Sequence, residues 1–154
     1  MKLGENADCF DNYSRVKFIK MYSSIRVIYN PNAQEEFKYT VIPSSAKLKA
    51  AIDAIRNLRS CDQLTEYAIL RHGYGNTDSM SGVVYPTDLD EFDRLTEYIP
   101  EHNVKVYAWY GESTGPDYVI PENQYLSLLR EYLLLHREHD HAIRIESLLR
   151  QTEH

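Results

Sequence analysis

AKLKAAIDAIRNLRS, residues 46–60, decides the architecture. Leu48, Ala51, Ile52, Ile55 and Leu58 recur at three- and four-residue steps, so they share one side of a helix. Lys47, Lys49, Arg56 and Arg59 fall on or beside its wet side. Ser44 or Ser45 offers a hydroxyl to a free amide of the first turn, and Cys61-Asp62 ends the helix. On either flank the period changes. Upstream, RVKFIKMY (15–22), IRVIYN (25–30) and EFKYTVIP (36–43) alternate apolar with polar residues and read as two or three antiparallel strands. Phe37, Tyr39 and Val41 take one face of the last, and Asn30-Pro31-Asn32 turns the chain before it.

Downstream, EYAILRH (66–72) reads as a strand, GYGNTDSMSG (73–82) as a glycine-rich loop and GVVYP (82–86) as a short strand. Thr87 is placed to cap a second helix with Leu89, Phe92, Leu95 and Ile99 as its buried stripe. NVKVYAWYG (103–111) is a strand, with Val104, Val106 and Ala108 inward and Lys105, Tyr107 and Trp109 on a partly open face. GESTGPD (111–117) is a loop and DYVI (117–120) an edge strand. Pro121 stands where a helix can begin without losing a hydrogen bond. In ENQYLSLLREYLLLHREH (122–139), apolar residues cover about half the circumference, more than one packing stripe needs. That helix therefore meets two elements, or one element and another molecule, such as a second copy through Leu129 and Leu133. Ala142, Ile145 and Leu149 restart the pattern as a kinked extension or a separate short helix. The expected fold is α+β: one domain over residues 15–154, about three helices on a mainly antiparallel sheet, in the order ββ(β)αββαβ(β)α. Residues 1–14 are polar, carry little pattern and are expected to be poorly ordered.

A chain of 154 residues suffices for one domain with a sizeable core. Nothing resembles a signal peptide, and no apolar run reaches the length of a bilayer span, which points to a cytoplasmic protein without a membrane partner. Cys9 and Cys61 are too few for a disulfide framework. Tyrosine stands out, with thirteen against four phenylalanines, and suits half-wet surfaces. Lys17, Lys20, Lys38, Lys47, Lys49, Arg56 and Arg59, with Tyr22, Tyr29 and Tyr39, have the composition of a single-strand reader. They are spread over several elements of an acidic chain, and the reading is an ordinary solvated surface, with no nucleic-acid partner.

The acidity is local. Residues 86–122 hold nine acids (Asp88, Asp90, Glu91, Asp93, Glu97, Glu101, Glu112, Asp117 and Glu122) against Arg94 and Lys105, while the whole chain carries −6. Residues before this stretch are net positive. The helix dipole accounts for acids in a first turn, but not for Glu97, Glu101, Glu112 or Asp117. Trp109, Tyr98, Tyr107, Tyr110 and Tyr118 lie in the same stretch. Carboxylates beside large rings suit a basic protein partner, and the expected contact residues are Asp90, Asp93, Glu97, Tyr107, Trp109, Glu112 and Asp117.

Two other strings carry chemistry in principle. Arg71-His72-Gly73, after an apolar run, resembles the nucleophile motif of the histidine phosphatases, where a histidine takes the phosphoryl group and arginines hold its oxygens. That resemblance implies phosphoester chemistry at Arg71 and His72. It covers about a dozen residues, and the family opens its chain with this motif, whereas here some seventy residues precede it. A second histidine in the family's downstream context is missing. HREHDH (136–141) would put His136, His139 and Asp140 on one helix face, as metal ligands often are. A polar helix end is the plainer reading, and no metal, cofactor or catalytic residue is assigned.

A small, tyrosine-rich chain with one acidic stretch and no catalytic set resembles the bacterial toxin-immunity proteins of contact-dependent growth inhibition. The resemblance implies an antitoxin: tight binding to a cognate, basic, nuclease-like toxin domain, with no enzymatic activity. A third alternative is an oligomerisation or adaptor module built on the last helix.

Overall fold

The structure, a computed structural model, describes residues 25–109 and 115–152. The expectations for residues 1–14 and for a strand in RVKFIKMY lie outside the described residues, as does Glu112. The described chain is α+β, with strands β1 (Arg26–Tyr29), β2 (Tyr39–Ile42), β3 (Tyr74–Asn76), β4 (Ser81–Val84), β5 (Asn103–Ala108) and β6 (Asp117–Pro121). Its helices are α1 (Ala46–Leu58), α2 (Cys61–Leu70), α3 (Glu122–Leu135) and α4 (His139–Gln151). β1 and β2 form an antiparallel pair, and β3-β4-β5-β6 form a four-stranded antiparallel meander.

α1 joins the two sheets. It packs on β2 of the pair, on β4, β5 and β6 of the meander, and on α3. Ser45 caps it, its hydroxyl accepting the Leu48 amide at 3.1 Å. Its buried set, Leu48 and then Ala50 to Ile55, is wider than the expected stripe. The alanines at 50, 51 and 54 let backbones approach on more than one side, and Val104, Val106, Leu126 and Leu129 complete the same core.

Four segments differ from expectation. The strand expected over 36–43 begins only at Tyr39, because Glu35–Phe37 is a 3-10 turn, and Phe37 is exposed. Residues 66–72 are not a strand but the end of α2 and its cap. Ser60 accepts the Gln63 amide at 3.2 Å, and Leu64, Thr65 and Ala68 turn inward at helical spacing. Read alone, the short run AIL has no period of its own, and Leu70 proves exposed. The loop expected at 73–82 contains β3, a turn and the start of β4. The helix expected after Thr87 is replaced by 3-10 turns at Pro86–Asp88 and Asp93–Leu95.

The last helix is α3, with Pro121 just ahead of its first turn. Its broad apolar face is used within the chain, by α1, α4, β1 and the meander. Leu129 and Leu133 are fully buried there, so the face expected to meet a second copy is already covered. α4 is a separate helix of 13 residues, set off by Arg137 at φ 59. No described helix is long and apolar enough to cross a membrane.

Candidate functional site: the acidic loop 86–101

The helical spacing of Leu89, Phe92, Leu95 and Ile99 is defeated by aspartates. Asp88 Oδ2 accepts the backbone amides of Gly73 at 2.9 Å and Tyr85 at 2.7 Å. Asp93 donates its amide to Asp90 Oδ1 at 2.7 Å, and Asp90 donates its own to Asp93 Oδ2 at 3.3 Å. Short carboxylates that capture local amides compete with the helical ladder, and here they win. Leu89 and Ile99 still reach the core and fix the ends of the loop. Between them Phe92, Leu95 and Tyr98 stand out in solvent, at 78%, 78% and 81% exposure.

The loop sits on a rigid base. Arg71 closes α2 in the left-handed region, φ 52, and its guanidinium forks onto Glu122, with Nη2 to Oε1 at 3.0 Å and Nε to Oε2 at 3.2 Å. Glu122 is buried at the start of α3, so this pair ties two helices together beneath the loop. Beside it lies a groove of about 470 Å³, lined by Arg71, Leu89, Arg94, Tyr98, Ile99 and Glu101 among others.

The expected contact residues divide into two groups. Glu97 and Asp117 both bind Lys105, Glu97 closely and Asp117 at 3.7 Å. Lys105 and Tyr107 share the outer side of β5, and the Tyr107 ring lies 4.8 Å from that of Trp109. Burial raises the Tyr107 pKa above its ordinary value, Lys105 working against it and Asp117 with it. Trp109 is half-buried, and its indole leaves no room for a side chain at Gly115. Asp90 and Asp93 belong to the loop, where with Glu91 and Glu101 they remain exposed. Of the eight acids of this stretch among the described residues, four are thus engaged elsewhere in the fold, Asp88 on the Gly73 and Tyr85 amides, Glu122 on Arg71, and Glu97 and Asp117 on Lys105, while Asp90 and Asp93 hold each other's amides within the loop. The free negative surface is narrower than the composition implied, and it lies in the same loop as the exposed Phe92, Leu95 and Tyr98.

The chain matches no family model, no curated protein and no solved structure.

Arg71 and His72 follow a helix, not the strand expected. His72 Nδ1 lies 3.3 Å from Asp88 Oδ1, its ring 5.7 Å from that of Tyr67. His136, His139 and Asp140 do not share one helix face, because α3 ends at Leu135 and α4 begins at His139. His136 Nε2 instead meets the Tyr39 hydroxyl at 2.6 Å, among the rings of Tyr29, Tyr39 and Tyr132. Among the described residues no group of three or more metal-ligating side chains converges.

Sequence reasoning missed Phe92 and Leu95 as exposed residues, because their spacing mimics a buried stripe; Tyr98, outside that stripe, belongs to the aromatics of the acidic stretch. One signal was available. Asp88, Asp90 and Asp93 crowd the same segment, and aspartate favours turns over helix interiors.

Proposed function

We propose that this chain is a protein-binding inhibitor of the toxin-immunity type, and that loop 86–101 is its contact surface. One observation carries the reading. Phe92, Leu95 and Tyr98, at 78–81% exposure, stand in solvent within the same loop as the exposed acids Asp90, Glu91, Asp93 and Glu101. Exposed large side chains within a polar border are the usual anatomy of a docking patch. A basic partner is favoured because the unpaired charge on the loop is mostly negative. A nuclease domain fits that requirement, since a site that holds phosphates must be positive. Carboxylates speed the encounter, and the buried rings then slow dissociation. Tyr107 and Trp109 are assigned to the edge of the contact, beside the Lys105 bridge.

The test is a pull-down from the native cell with the wild type and with the triple variant Phe92→Ala/Leu95→Ala/Tyr98→Ala. A basic nuclease domain captured by the wild type, inhibited by it, and lost by the still-folded triple variant is the expected result. Anchors of this kind cost roughly 1–4 kcal/mol each when truncated. Inhibition of such a domain by the triple variant as strongly as by the wild type would exclude this loop as the contact.

A further inference from the structure

A second site lies on another face, at the end of α1. Tyr29 from β1, Lys38 and Tyr39 at the start of β2, and Arg56, Asn57 and Arg59 from the last turn and cap of α1 line a recess of about 190 Å³. Five of the bases and tyrosines that look scattered along the sequence, Lys38, Arg56, Arg59, Tyr29 and Tyr39, thus converge in space. Their arrangement is built, not incidental. Asp53, fully buried in α1, accepts Arg56 Nε at 2.8 Å and Lys49 Nζ at 3.1 Å. This fixes the Arg56 guanidinium, whose side chain is only 9% exposed, with Nη1 directed at the recess. Lys49 shares the Asp53 charge with Arg56 Nε, which leaves Arg56 Nη1 for the recess. Arg59, the left-handed cap at φ 63, is exposed and makes no ion pair among the described residues.

An anion already sits among these cations, supplied by the chain itself. The Glu35 carboxylate lies 3.0 Å from Lys38 Nζ and 3.5 Å from Arg56 Nη1. It comes from the 3-10 turn Glu35–Phe37, and its side chain is 69% exposed, so it can swing out without disturbing the core. Its hydrogen bond and charge contact with Lys38, with Arg56 and Arg59 behind, hold its carboxyl below the ordinary range. With Glu35 in place the lining still carries three cations against one carboxylate. The recess is too large for a single water and too small for a whole nucleotide. Tyr29, 39% exposed and 4.9 Å from Tyr39 ring to ring, offers an aromatic edge at its mouth.

We propose that this recess binds the phosphate group of a small phosphorylated ligand with a planar ring, of the nucleoside monophosphate class, and that Glu35 occupies the phosphate position until the ligand displaces it. Lys38, Arg56 and Arg59 would hold the phosphate oxygens, the guanidinium of Arg56 matching them in geometry. The ring would lie against Tyr29. The site is independent of the loop 86–101 contact.

The test is an amide NMR titration of the full chain with inorganic phosphate and, separately, with AMP. Millimolar ligand should shift the resonances of Tyr29, Lys38 and Arg56 to Arg59. Glu35→Gln should tighten both ligands about tenfold, and Arg59→Asn, which tolerates the left-handed backbone, should weaken both about tenfold. AMP should bind more tightly than phosphate, and Tyr29→Leu should erase the difference. Absence of shifts in both the wild type and Glu35→Gln would overturn the site. Equal affinities for phosphate and AMP in the wild type would overturn the ring contact.

Discussion

Asp88 shows how one side chain can set a segment. Its carboxylate serves the amides of Gly73 and Tyr85 and lies against His72, so two separate parts of the chain are referred to it. Asp88→Ala would leave two amides without their acceptor at the base of the loop. The expected loss is about 2–4 kcal/mol, read from urea denaturation. Asp88→Asn, keeping one acceptor, should cost less. Gly73 is held to glycine for the same reason: a Cβ there would run into the Val83 carbonyl and the Asp88 carboxylate. Gly73→Ala should therefore destabilise by roughly 1–3 kcal/mol in the same measurement. Neither requirement is visible in sequence, because Asp88 and Gly73 are fifteen residues apart and meet only once β4 has returned the chain.

At the scale of elements, what was legible had a clean period. Leu48, Ile52 and Ile55 mark α1, alternating Val104 and Val106 mark β5, and Leu126, Leu129 and Leu133 mark α3; all are buried. What was illegible had a competing local preference. α2 depends on the Ser60 cap and on Leu64, which precedes the run that looks like a strand. Ser60→Ala should cost about 1 kcal/mol and loosen α2, seen as faster amide exchange in its first turn. Residues 87–99 have helical spacing but aspartates that bind their own backbone. Of the candidate site, the acids and the stretch holding them could be read directly. Which acids are free could not, because Lys105, Arg71 and the amides that engage four of them are chosen by tertiary structure. Leu129→Ala, at the contact of α3 with the core, should cost about 2–5 kcal/mol by the same denaturation assay.

For the molecule as a whole, the buried tyrosines set an alkaline limit. Burial pushes Tyr125 up to about 12, and it raises Tyr74, Tyr85 and Tyr132 well above their ordinary value. These groups are neutral in the folded chain at pH values where the unfolded chain ionises, near 10. Their contribution is therefore complete below about pH 10 and is lost as pH rises through the folded values. Thermal melts should hold steady up to about pH 10 and then fall steeply, with tyrosinate absorbance rising at the unfolding transition. Tyr125→Phe should soften that fall. Melts insensitive to pH up to about 12 would show that these hydroxyls reach water in the native state.

The bridging position of α1 has one more consequence. Among the described residues the β1–β2 pair makes no ladder to the meander and rests on α1 and α3, and two strands by themselves are marginal in water. Deuterium should therefore enter β1 and β2 as one cooperative unit, ahead of β4 and β5, whenever that small sheet lifts away. The recess at Tyr29 and Lys38 would open in the same event, so occupancy there should slow labelling of a sheet that the ligand touches only at its edge.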